Sequence, residues 1–231
     1  MNLSTINRTE VLRYLGHSGG ALDAQVEAQL DQAQGMILNL AEPRSVYGVF
    51  SLNRDGDVLR LQGTNVALGG EDILVHLAGA DQCALLAVTL GAPIEAAIRR
   101  AQVADMALAV VLDATADAAV EQVCDGLQFE IAEWAKSENL HLTSRFSPGY
   151  GDMPLSQQRD ICDLLNTVRR IGVSVTSQYI LTPRKSITAV CGLYRGQIAG
   201  KWTGCSACLA IDNCILRKAG NTCGKSKSPV T

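Results

Sequence analysis

A chain of 231 residues with 47% hydrophobic and 19% charged residues is long enough to bury one well-formed core, and its formal charge of -3 argues against nucleic acid as the main partner. The longest uncharged apolar run near the middle, 82–94, is too short to span a bilayer, and residues 1–15 lack the apolar centre of a signal peptide, so the protein is expected in the cytoplasm, without membrane contact. In that reducing compartment the eight cysteines are read first as metal or cluster ligands rather than as disulfides.

Residues 9–15 read as a short helix closed by Gly16, and 21–40 as a longer one whose Val26, Leu30, Ala33, Ile37 and Leu40 share one face. Pro43 ends it. Residues 46–52 and 58–61 carry the bulky apolar content of two strands around the turn 53–57, a hairpin signal. Gly69 and Gly70 break the chain, 72–77 reads as a short helix, 83–90 as a buried strand, and Pro93 stands at the start of the next helix. His76 faces an apolar neighbourhood. It, His17 and His141 have no second histidine or carboxylate at ligand spacing, which predicts structural or surface roles for all three.

The tract 104–134 is alanine-rich, with Leu112, Ala116, Val120, Val123, Leu127 and Ile131 at three- and four-residue steps, and reads as the central packing helix. After a loop, Ser156 is an expected N-cap for a helix with Ile161, Leu164, Leu165 and Val168 as its apolar stripe and Gly172 as its end. Residues 173–176 and 187–191 read as strands of the same sheet, joined through a turn at 182–185. Early hairpins with long helices point to an α+β fold, a mainly antiparallel sheet packed against helices, in one domain over 1–200 followed by a cysteine-rich tail, 201–231.

Two stretches carry chemistry. The first is 145–154, Arg-Phe-Ser-Pro-Gly-Tyr-Gly-Asp-Met-Pro, in which Pro148 and Pro154 fix the backbone while Gly149 and Gly151 free it on either side of Tyr150. A stiff loop that presents one guanidinium, Arg145, and one phenol suits a small ligand with a carboxylate and a flat ring; the plain alternative is a Pro/Gly connector with a surface arginine. The second is Cys205-x2-Cys208-x5-Cys214-x8-Cys223 in a glycine-rich tail, a density of thiols suited to zinc or an iron–sulfur cluster, with free thiols the alternative.

Arg-x-x-x-Gly-Tyr, a proline four residues on, an amphipathic helix and an Ile-Gly-Val-x-Val-Thr strand entry resemble the activation domain of cobalamin-dependent methionine synthase over about 112–189. The form Ser-Pro-Gly-Tyr-Gly-Asp-x-Pro-Leu is similar to stand-alone versions of that domain. Gly151 stands where the large enzymes usually have proline, Met153 where they usually have cysteine, and Asn139 where they have an acidic ligand contact. The resemblance implies S-adenosylmethionine as ligand: Arg145 on its carboxylate, Tyr150 packed against it, the backbone at Ser147 on the adenosine end within the turn at Gly149, and Glu121 near its cationic part. It also implies cobalamin supplied by a partner, either methionine synthase or another corrinoid protein, and an external electron donor, for reductive remethylation of the cobalt. The chain carries neither Gly-x-Gly-x-x-Gly nor the Asp-x-His-x-x-Gly corrinoid motif, so partners must bring those parts. The rival reading is a metal-cluster redox or docking protein for a corrinoid methyltransferase that does not bind S-adenosylmethionine.

Overall fold

The computed structural model describes residues 3–17, 19–56 and 58–196. Among them, helices α1 (Arg8–Tyr14) and α2 (Ala24–Leu40) precede strands β1 (Arg44–Asp55), β2 (Val58–Leu61) and β3 (Ala67–Leu68). Then come α3 (Glu71–His76), β4 (Gln82–Thr89), α4 (Ala92–Ala104), α5 (Met106–Ser137) and β5 (His141–Leu142). Last are α6 (Gln157–Leu165), α7 (Thr167–Ile171), β6 (Ser174–Val175), β7 (Leu181–Thr182) and β8 (Ser186–Tyr194). A six-stranded sheet runs in the order β3-β2-β1-β4-β8-β5, and β6 and β7 form a sheet of their own. Glu42 N–H meets Leu90 O while Leu52 N–H meets Asp81 O, and Leu90 N–H meets Lys185 O, so β4 runs antiparallel to both neighbours. With the antiparallel pairs β1–β2, β2–β3 and β5–β8, this is the α+β architecture the sequence predicts.

Residue contacts divide the chain into two compact units. The first joins 1–48, 85–131 and 158–189. Here Asn7 caps α1 by accepting from Thr9 and Glu10 N–H, Asp23 caps α2 through Gln25 N–H, and Arg8 pairs with Glu27 and Asp31. The cap at Asp23 explains why α2 starts at Ala24 and not at 21. Asp105 is the joint between α4 and α5: extended itself, it caps α5 through Leu108 N–H at 3.1 Å, so Ala104 ends one helix and does not begin the next. Leu30, Ile37, Leu85, Leu86, Leu90, Ile94, Leu112 and Leu127 are fully buried, each contributing about 1.5–3 kcal/mol of apolar burial. Lys185 lies against Asp113 and Asp117 at 2.9 and 2.7 Å, tying the entry of β8 to α5.

Two expectations fail in this unit. The helix after the loop is two helices, because Asn166 takes the left-handed conformation (φ +51°) and turns the chain, leaving Val168 63% exposed instead of in the apolar stripe. The strand read at 173–176 pairs with β7 in the separate sheet and does not join the main one. The second unit joins 49–84, 132–157 and the segment from Val190. Its β1–β2 hairpin pairs Asp55 with Val58, and Leu59, Leu61, Ile73 and Leu77 fill its interior.

Candidate functional site

The loop 145–154 belongs to the second unit, and backbone hydrogen bonds fix its shape. Phe146 and Val190 exchange both N–H···O bonds at 2.8 Å, which sets the start of the loop on β8. Tyr150 N–H then donates to Ser147 O at 3.0 Å, Met153 N–H to Tyr150 O at 3.0 Å, and Gly149 N–H to Met153 O at 2.9 Å. These nested turns leave Met153 2% exposed and Tyr150 54% exposed, its ring edge-on to Phe146 at 6.4 Å. The prolines and glycines thus present the phenol outward from a closed turn.

A clasp to α3 holds the far side. Gly70, at the N-cap of α3, has no side chain to cap it, and the Asp152 carboxylate supplies the acceptor instead, 2.6 Å from Glu71 N–H and 3.0 Å from Asp72 N–H. Asp72 returns the contact by accepting from Asp152 N–H at 3.3 Å. The approach is close: a Cβ on Gly70 would stand 2.7 Å from Asp152 Oδ1, and one on Gly151 2.0 Å from Asp72 Oδ2. Gly151 has φ +52°, a path closed to proline. The backbone donors hold the Asp152 carboxyl below its ordinary 3.8, so the clasp is complete above that pH and is lost as pH falls from there through the lowered value.

His76 supports the loop from beneath. Its ring is buried, 5.3 Å from the Phe146 ring, and its Nε2 lies 3.0 Å from Ser144 O. That carbonyl only accepts, so Nε2 carries the proton of the neutral ring. Burial pushes its pKa below 6.5, against a smaller opposing effect of the Ser144 bond. A depressed histidine leaves stability intact above pH 6.5 and removes it as pH falls from there through the folded-state value. Thermal midpoints measured between pH 8 and 5 are therefore expected to fall below pH 6.5, and the fall should flatten in His76→Gln; an unchanged slope in that variant would assign the loss to other groups.

Of the residues singled out in the sequence, Arg145 and Ser147 are half-buried in this loop, and Gly149 (φ +88°) and Tyr150 are exposed on it. Glu121 is half-buried on α5 in the first unit, where its charge, after burial, raises the Tyr14 phenol. Asn139 takes φ +58° at the end of α5, with Leu140 N–H reaching back to Ala135 O at 2.8 Å. It is the left-handed residue that closes the helix, a conformation asparagine adopts more readily than most side chains. Cys205, Cys208, Cys214 and Cys223 lie outside the described residues. Cys83, Cys124, Cys162 and Cys191 are buried, the Cys83 thiol pushed up to about 12 by burial, and the described residues contain no group of three metal-ligating side chains.

Sequence reasoning passed over Gln157. It is 6% exposed, its Nε2 donates to Ala67 O at 2.7 Å, and among the described residues nothing donates to its Oε1. The signal was its four-residue step to Ile161 and Leu165, which puts it on the buried face of α6. Within the first unit a cavity of about 340 Å³ is lined by Tyr14, Leu15, Met106, Val110, Asp113 and Asp117, but Lys185 already satisfies both carboxylates.

Among the described residues no helix is long and apolar enough to cross a membrane. No curated protein matches the chain. Among solved structures, the crystal structure of the MetH reactivation domain bound to AdoHcy superposes with a TM-score of 0.66 at 16% identity, covering 96% of this chain and 83% of that one, a likeness of fold. The profile of the vitamin B12 dependent methionine synthase activation domain matches residues 59–208, a stretch that contains α3, α5, the clasped loop and β8. The chain therefore belongs to the family of the vitamin B12 dependent methionine synthase activation domain.

Proposed function

We propose that this chain binds S-adenosylmethionine at the 145–154 loop and supports reductive remethylation of cobalamin held by methionine synthase or another corrinoid protein. The observation that carries the reading is the loop itself: a turn closed by three backbone bonds, clasped by Asp152 to α3, that holds Arg145 and Tyr150 on one short rigid segment inside the family match. The AdoHcy bound to the similar MetH reactivation domain supports the same ligand class. Arg145 takes the carboxylate, Tyr150 packs on the ligand, and the backbone around Ser147 and Gly149 receives the adenosine end. The sulfonium methyl is already activated and reduced cobalt is a strong nucleophile, so the chain contributes orientation and no general base. One electron for cob(II)alamin comes from an external donor.

Binding to S-adenosylmethionine by calorimetry is the first test, and its failure in a folded protein overturns the reading. Closure over a partner's cofactor adds a linkage: a corrinoid protein in the cob(II)alamin state is expected to bind about tenfold more tightly in saturating S-adenosylmethionine, and the ligand to bind more tightly by the same factor with the partner present. Equal partner affinity with and without ligand excludes the coupling.

The domain 1–200 does this work, and the tail 201–231 is assigned a separate metal site at Cys205, Cys208, Cys214 and Cys223. Anaerobically purified protein is expected to carry zinc or iron by elemental analysis, reduced by Cys208→Ser, with visible absorption separating a cluster from zinc. Neither metal above trace would mean free thiols.

A further inference from the structure

Gln157 is wedged where the loop ends. Its backbone N–H donates to Pro154 O at 3.1 Å, its Nε2 to Ala67 O at 2.7 Å, and a Cβ on Gly69 would stand 3.7 Å from that Nε2 and 3.8 Å from Pro154 Cδ. Because Ala67 O can only accept, the amide cannot be turned over: the NH2 group must face β3 and Oε1 must face away. That oxygen is the one buried side-chain atom, among the described residues, that has no hydrogen-bond partner. A buried acceptor left unmatched is destabilising, so a side chain aimed this way by its own donor leaves Oε1 in want of a neutral N–H or O–H, which a ligand or a bound water can supply. Its place on the chain says which. Arg145 enters the loop and Gln157 leaves it, with the turn 147–153 between them. An extended ligand with its carboxylate on the cation at the entrance carries its purine toward the exit, and the donor on the far edge of adenine is the neutral 6-amino group.

We infer that Gln157 Oε1 accepts from the 6-amino group of adenine and makes the site selective for adenosyl over 6-oxopurine ligands. The inference rests on the loop being the S-adenosylmethionine site. A 6-oxopurine would set a carbonyl against the amide oxygen, and a site built around a hydrogen bond rejects ligands that cannot make it more strongly than a merely apolar pocket does.

The test titrates the full chain with S-adenosylhomocysteine and with S-inosylhomocysteine, which differ in the 6-substituent of the ring and, with it, in the proton on N1. The wild type is expected to prefer the adenosyl ligand by at least about tenfold. Gln157→Met, close in shape but without the acceptor, should weaken the adenosyl ligand about five- to tenfold, the value of one buried neutral hydrogen bond, while binding the inosyl ligand no worse. Equal wild-type affinity for the two overturns the inference without any variant, and so does an equal loss of both in Gln157→Met, which would make Gln157 a structural support or the partner of a ribose hydroxyl. If neither ligand binds the wild type, the assignment of the loop to S-adenosylmethionine fails with it.

Discussion

Arg145→Ala is expected to weaken S-adenosylmethionine binding by about tenfold to several hundredfold. Charge-assisted hydrogen bonds to a carboxylate contribute about 1.5–3 kcal/mol, and a carboxylate left without its partner in a half-buried setting loses more. The structure gives the prediction its footing: the residue after Arg145 is locked to Val190 by a reciprocal pair of 2.8 Å backbone bonds, so the guanidinium starts from a fixed point instead of a floppy connector. Arg145→Lys should recover only part of the loss, since a point charge does not reproduce the planar fork. Arg159 is the control. Its guanidinium donates to Thr176 O at 2.8 Å and lies 5.4 Å over the Tyr179 ring, in the first unit, and Arg159→Ala should leave ligand affinity unchanged. Titration of the three variants, each with its thermal midpoint checked, decides it; wild-type affinity in folded Arg145→Ala would return the loop to the status of a connector.

What the sequence discloses and what it hides follow from the range of the interactions involved. Helix faces and the buried strand β4 are legible because their causes are local: apolar residues three and four apart in α5, and an unbroken apolar run from Cys83 to Val88. The break at Asn166 is hidden because the apolar spacing of Ile161, Leu164, Leu165 and Val168 is equally good for a continuous helix, and asparagine announces its left-handed preference only weakly. Strands β3 and β5, of two residues each, are too short for any periodicity. At the site, the loop declares itself through its prolines and glycines, but its supports do not. Asp152 reaches a helix cap 80 residues upstream, His76 lies under Phe146, and Gln157 reaches Ala67 across 90 residues. No spacing rule links such positions.

Gly151→Ala is expected to destabilise the protein more than the same change at Gly56, and the difference measures the clasp. Both glycines sit in left-handed backbone, φ +52° and +59°, where a Cβ costs about 1–2 kcal/mol. Gly56 has nothing within 4 Å of its ideal Cβ, so strain is its whole penalty. At Gly151 the Cβ would stand 2.0 Å from Asp72 Oδ2 and 2.9 Å from Asp72 Cγ. A carboxylate end can swing away, but it then abandons the Asp152 N–H it accepts, adding about 0.5–1.5 kcal/mol. The loop should loosen where Tyr150 is presented, so Gly151→Ala should also weaken S-adenosylmethionine binding while Gly56→Ala does not. Asp72→Ala closes the cycle by removing the obstructing carboxylate in advance. In that background Gly151→Ala should cost no more than Gly56→Ala does in the wild type, and denaturant midpoints of the four proteins give the coupling directly. Additive losses for Gly151→Ala and Asp72→Ala would mean that the clasp does not shape the loop.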